Sequence, residues 1–127
     1  MSIRSLESAL SRAWSKETSA DPKSWTPANP SWGQCAITAC VVNDYLGGKV
    51  VWAEAALPDG RKLSHYFNEV GGNQFDLTRQ QFPEGTVIPA GVDKKKEFET
   101  TRGYVLSFEK TRMRYDALKE RVELILG

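Results

Sequence analysis

The sequence predicts an α+β protein in which a buried central helix packs against a small antiparallel sheet. Three observations carry that expectation. Residues 35–46 run apolar almost without interruption, with Asn43 and Asp44 only near the end and Gly47-Gly48 just after; a helix apolar on most sides is a buried one. Three short runs between residues 49 and 77, separated by turn residues, read as an antiparallel meander. Helical periodicity marks both ends of the chain, so helices pack on the sheet.

The first helix rests on Ile3, Leu6, Leu10, Ala13 and Trp14, with Arg4, Glu7, Ser8, Ser11 and Arg12 between them; it is amphipathic and lies flat on the core. Residues 15–30 are polar and broken by Asp21-Pro22, Thr26-Pro27 and Asn29-Pro30. This is a long ordered loop with Trp25 as a plug, and loops of that length are commonly functional. Ser31-Trp32-Gly33-Gln34 has the Ser-x-x-Gln form of a capping box ahead of the central helix, and Gly47-Gly48 supplies its left-handed end.

Residues 49–56 and 62–70 are strands joined by the turn Leu57-Pro58-Asp59-Gly60-Arg61, with Pro58 presetting φ and Gly60 tolerating a positive φ. Gly71-Gly72-Asn73 leads into a short third strand at residues 74–77. Residues 78–92, with Pro83, Gly85, Pro89 and Gly91, read as loop. Residues 94–108 leave Tyr104-Val105-Leu106 open between strand and helix, and residues 112–126 form a helix with Tyr115, Leu118, Val122 and Ile125 on its buried side.

At 127 residues, 40% hydrophobic and 26% charged, the chain fits one globular domain over residues 1–127 with a real core. A formal charge of +1 gives no general attraction to nucleic acid or to an anionic membrane, and the one dense basic run, Lys94-Lys95-Lys96, is flanked by Asp93, Glu97 and Glu99. No apolar run reaches the roughly 20 residues of a membrane span, and the charged N-terminus carries no signal-peptide pattern. A cytoplasmic protein with no nucleic-acid or membrane partner is expected. Cys35 and Cys40 lie five positions apart on one helix; at roughly 1.5 Å per residue that is too far for an unstrained disulfide. With one histidine and no CxxC, neither thiol has metal-site companions, and no metal or cofactor is expected.

The chemistry sits on these thiols. A thiol is a useful nucleophile only as thiolate, which the partial positive charge and free N–H groups at a helix N-terminus favour. Cys35 occupies that position, whereas Cys40 lies more than a turn deeper and reads as core. His65, the single histidine, is the available base and stands in mid-strand. A third group must fix its tautomer. Asp76 lies diagonal to His65 across the second hairpin, with Asn68 and Asn73 as alternatives, although Ser64 and Asn68 share the strand face opposite His65. The Cys35 backbone N–H, helped by Gln34 or the Trp32 indole, is the candidate oxyanion site; Gln34 serves equally as a cap partner.

A helix-borne cysteine, a strand-borne histidine and an Asp or Asn on the next strand resemble the layout of papain-like and transglutaminase-like enzymes. Gly33-Gln34-Cys35-Ala36-Ile37-Thr38-Ala39 is similar to the Gly-Gln-Cys active-site motif of transglutaminases, in which the motif also begins a buried helix. The wider pattern also resembles the small bacterial YunG family, over roughly residues 30–82. It runs Pro30-Ser31-Trp32-Gly33-Gln34-Cys35, then Asp59-Gly60, Ser64-His65-Tyr66-x-Asn68 and Asp76-Leu77-Thr78-x-x-Gln81-Phe82. Ala36 stands where an aromatic residue usually follows the transglutaminase cysteine, which points away from protein cross-linking. The resemblance implies a papain-like/transglutaminase-like fold and acyl transfer through a thioester, of amidase, deamidase or peptidase type. Cys35 would be nucleophile, His65 base and then acid, Asp76 orienter, and a peptide, amide or protein the substrate. The alternative is a non-catalytic binding or regulatory protein that keeps the fold.

Overall fold

The computed structural model describes residues 1–127 and has the mixed α+β architecture expected. Helix α1 (Ile3–Ala13) is followed by a long loop containing one 3-10 turn, then α2 (Cys35–Leu46). Strands β1 (Lys49–Ala56), β2 (Lys62–Val70) and β3 (Asn73–Phe75) come next, and α3 (Thr101–Leu106) and α4 (Glu109–Leu126) close the chain. The strands form one antiparallel sheet in the order β1-β2-β3. The edge of β1 is covered by a returning segment that bridges Trp52 to Val92 and Ala56 to Val87.

The main core lies between α1, α2, α4 and one face of the sheet. Leu6 and Leu10 from α1, Ile37, Val41 and Val42 from α2, Val50 from β1, and Leu118 and Val122 from α4 are all buried there. Burying one such side chain contributes about 1.5–3 kcal/mol, which is why α2, apolar on nearly every side, takes the centre. Alternation along β2 divides its residues between two faces. Asn68 points toward α2, donating from Nδ2 to the Ala39 carbonyl at 2.9 Å. His65 and Phe67, paired with Ala53 and Val51, are on the other face, under Phe82 and Ile88.

Polar groups tie the helices together. The Asp44 carboxylate accepts from the Tyr115 hydroxyl at 2.5 Å and pairs with Arg102 at 2.8 Å. Arg102 also donates to the Cys40 carbonyl at 2.8 Å. The polar break near the end of the apolar run is therefore the joint between α2, α3 and α4. The Trp14 indole N–H donates to Thr38 Oγ1 at 2.9 Å and fixes the exit of α1 onto α2.

Several boundaries differ from the sequence reading. Helix α1 stops at Ala13, with Trp14 as its C-cap. Ser31 does not cap α2: the Gln34 N–H closes a turn on the Ser31 carbonyl at 3.1 Å, and the N-cap Gln34 makes no side-chain capping bond. Strand β3 ends at Phe75 because Asp76 turns its carboxylate onto the Thr78 N–H at 3.1 Å, a local bond that competes with the ladder. The open segment around Tyr104 is helical, capped by Thr100, whose Oγ1 accepts from the Gly103 N–H at 2.9 Å. Helix α4 starts at Glu109, three residues before the apolar spacing becomes visible. Trp25 braces its own loop, donating to the Pro30 carbonyl at 2.9 Å.

The α2–β1 corner turns through Gly47 and Gly48, with φ of 75° and 71°. A side chain on Gly47 would meet open space, whereas one on Gly48 would collide with the Glu69 carbonyl and Val70. Gly47→Ala should cost about 1–3 kcal/mol from backbone strain, and Gly48→Ala measurably more. Urea unfolding of the two variants checks this order, and equal losses would contradict the close approach.

Candidate active site

His65 is completely buried. Its ring stacks on Phe67 at 5.6 Å and meets the edge of Phe82 at 4.9 Å. Nε2 donates to Asp76 Oδ2 at 2.5 Å, shorter than the roughly 2.7–2.9 Å of an ordinary charge-assisted N–H···O bond. The register explains the meeting. Asn68 pairs with Phe75, so Asp76, one residue further on, falls two positions along the ladder from His65, on the same face. The other Asp76 oxygen accepts from Thr78, at 3.1 Å from the backbone N–H and 3.3 Å from Oγ1. The alternative orienters lie elsewhere: Asn68 is committed to α2 on the opposite face, and Asn73 pairs with Val70 in the exposed turn.

The second ring nitrogen, Nδ1, is buried and lacks a hydrogen-bond partner of normal geometry. Burial is the largest influence on the ring and pulls its pKa down. Hydrogen bonds from Asp76 and then Cys35, with the charges of both, outweigh burial and raise the pKa from 6.5 to about 9. Cys35 is thus the second group that acts on the imidazole. It opens α2, is partly exposed, and its backbone N–H has no acceptor within the chain. Cys40 is different: burial first of all pushes its thiol up to about 12, as befits an inert core residue. Both cysteines are free.

Cys35 lines a cleft of about 250 Å³. Trp32, Ile37, Leu63 and Phe82 form its apolar walls, and Asp21, Ser64, Gln81 and Arg114 are among its polar lining. Trp32 therefore stands where a pocket residue should. Its indole N–H, however, already donates to Asp21 Oδ2 at 3.1 Å, so it serves as wall rather than oxyanion donor. Gln34 is fully buried and lies outside the cleft lining, its Nε2 donating to the Ser15 carbonyl at 2.9 Å. The Cys35 N–H, at the positive end of the α2 dipole, is left without an acceptor in the chain. No group of three or more His, Cys, Asp and Glu side chains converges in a metal-binding arrangement.

A family model described as the YunG protein matches residues 2–127. The chain belongs to the YunG family. The protein of Bacillus subtilis (strain 168) described as "Uncharacterized protein YunG" is 33% identical over 73 residues. That alignment covers 58% of this chain, and the chain spans 56% of the length of that curated relative. No solved structure matches, and no helix is long and apolar enough to cross a membrane.

In this YunG-family chain, sequence reasoning missed two residues of the site. Gln81 is buried; its Oε1 accepts from the Gly33 N–H at 3.2 Å, and its Nε2 donates to the Thr78 carbonyl at 3.1 Å and Thr78 Oγ1 at 3.0 Å. It therefore clamps the loop before Cys35 to the loop after Asp76. Gly33 fits this clamp with φ of 74°, and a Cβ there would press on Ser19 and Ala20. Arg114, from the terminal helix, reaches the cleft from far along the chain. A buried, hydrogen-bonding glutamine in the Thr78-x-x-Gln81 motif was a usable signal; nothing local marked Arg114.

The raised pKa has a consequence for stability. His65 is more basic folded than unfolded, so its stabilising contribution is complete below about pH 6.5 and is lost as pH rises through about 9. The loss amounts to about 3 kcal/mol. Urea midpoints should fall across that window, and Asp76→Asn should flatten the fall by removing the carboxylate. A flat wild-type profile would contradict a charged, carboxylate-held His65.

Proposed function

We propose that this protein is a cysteine-dependent acyl-transfer enzyme of amidase, deamidase or peptidase type, with a papain-like/transglutaminase-like Cys35–His65–Asp76 arrangement. The observation that carries this reading is the buried His65, held through Nε2 by Asp76 and acted on by Cys35. A buried imidazole fixed by a carboxylate and made more basic, to about 9, is suited to hold a proton taken from the thiol as imidazolium.

In the proposed reaction Cys35 gives its proton to Nδ1, and the thiolate attacks the carbonyl carbon of an amide. The C=O π pair moves to oxygen, where the Cys35 N–H stabilises it. Collapse of the tetrahedral intermediate breaks the C–N bond, the imidazolium protonates the leaving amine, and a thioester remains on Cys35. Water or an acceptor nucleophile, deprotonated by His65, then attacks the thioester and releases the thiol. Asp76 stays ionised throughout, holding the tautomer and balancing the imidazolium. The apolar walls of Trp32, Leu63 and Phe82 keep competing water from the reacting carbonyl. A peptide, amide or protein segment is the substrate class this chemistry serves.

Iodoacetamide at neutral pH should alkylate Cys35 and spare Cys40. His65→Ala should slow that labelling on the order of ten-fold or more. An activated ester should leave an acyl mass on the wild-type protein that is absent from Cys35→Ala. Labelling at the rate of an ordinary thiol, unchanged in His65→Ala, would instead identify a non-catalytic binding protein.

A further inference from the structure

Arg114 is the one cation of the cleft, and it has no charged partner. Asp21 is occupied by the Trp32 indole. Arg114 forms no ion pair with any carboxylate of the chain, whereas Arg102, whose side chain is comparably buried, pairs with Asp44 at 2.8 Å. Its Nε is buried with no hydrogen-bond partner, and its one side-chain bond runs from Nη2 to Thr111 Oγ1 at 3.2 Å. A buried donor left unsatisfied costs about 1–3 kcal/mol, so an unpaired guanidinium is not a packing solution in its own right. Burial weighs against its charge, and the one charged group acting in its favour is Cys35. Its place is also particular. Arg114 and Ala20 line both the Cys35 cleft and an adjoining hollow of about 500 Å³ that includes Lys110 and Met113.

We propose that Arg114 is a specificity-determining residue that binds a carboxylate of the substrate, so that the acyl compounds handled at Cys35 are anionic ones bearing a free carboxylate near the scissile amide. This rests on Cys35 being the nucleophile. A guanidinium presents parallel N–H donors that match the two oxygens of a carboxylate. One cation, with the Asp21 carboxylate in the same lining, suits a monoanion better than a phosphate. The substrate's charge would supply the partner Arg114 lacks and align the neighbouring carbonyl with the thiol.

Two alkylating reagents of equal reach separate the possibilities, because iodoacetate is anionic and iodoacetamide neutral. The iodoacetate-to-iodoacetamide rate ratio at Cys35 should exceed that of N-acetylcysteinamide by roughly ten-fold, the worth of one charge-assisted hydrogen bond. Arg114→Gln should bring the ratio back to the reference, while Arg114→Lys should retain part of it. A ratio equal to the reference, or one unmoved by Arg114→Gln while both rates fall together, overturns the proposal and leaves Arg114 as a counter-charge to the thiolate. A further measurement needs no variant: N-acetylglycine should protect wild-type Cys35 from iodoacetamide and N-acetylglycinamide should not, and equal protection by both, or none by either, also counts against it. Slow labelling by both reagents would sink the nucleophile assignment alone, since the ratio still reports whether Arg114 attracts a carboxylate.

Discussion

A fully buried imidazole is the constraint around which the lower half of this molecule is arranged. Taking a titratable ring out of water is unfavourable unless its polar atoms find partners. Here one nitrogen is met by Asp76 at 2.5 Å, while Phe67 stacks on the ring and Phe82 packs against it edge-on. The carboxylate needs support in turn, and Thr78 provides it through two bonds. Gln81 then grips Thr78 and carries the linkage to Gly33, two residues before Cys35. The same chain of bonds that satisfies a buried histidine thus also sets the position of the thiol loop. Buried polar networks specify one arrangement strongly through the bonds they do make, and losing a member is correspondingly damaging.

The upper half obeys a simpler rule. Helix α2 is apolar on nearly every side, and α1, α4 and one sheet face supply the surfaces that cover it. Its single polar corner, Asn43 and Asp44, is met by Arg102, Tyr115 and Lys119. Cys40 lies within this dry layer and is held as a neutral thiol. Cys35, five residues earlier, emerges at the helix start, where the backbone supplies N–H groups and partial positive charge. Position along one helix is enough to seal one thiol in the core and leave the other partly exposed at the cleft.

Local patterns made much of this readable. Periodicity marked α1, α2 and α4, and turn residues marked the meander, because those signals are written within a few residues of where they act. The diagonal relation of His65 and Asp76 followed from counting outward from Gly71-Gly72. The failures share a cause. Ser31 and Gln34 look like a capping box, but the Gln34 side chain is drawn away to the Ser15 carbonyl, a tertiary bond no local window contains. Trp32 lines the cleft, but its N–H is claimed by Asp21. Residues 101–106 gave mixed signals because a helix of one and a half turns has too little periodicity to register. Arg114 was invisible for a related reason: on α4 it is one basic residue among several, and only the packing of α4 beside the Cys35 cleft sets it apart.

The sheet separates two hydrophobic layers, and this division bears on how the protein changes over generations. Cys35 belongs to the helical layer, while His65 and Asp76 belong to the far side of the sheet, among Phe67, Phe82 and Ile88. The thiol and the imidazole therefore approach from hydrophobic clusters on opposite faces of one sheet, joined through Gln81 and Gly33. A volume change in either cluster would shift the element that carries one partner, and displacements near 1 Å are enough to alter rates about 100-fold in chemistry of the proposed kind. Drift in remote core positions can then act as a tuning screw on that approach, strengthening or silencing the thiol while every residue at the site stays as it is.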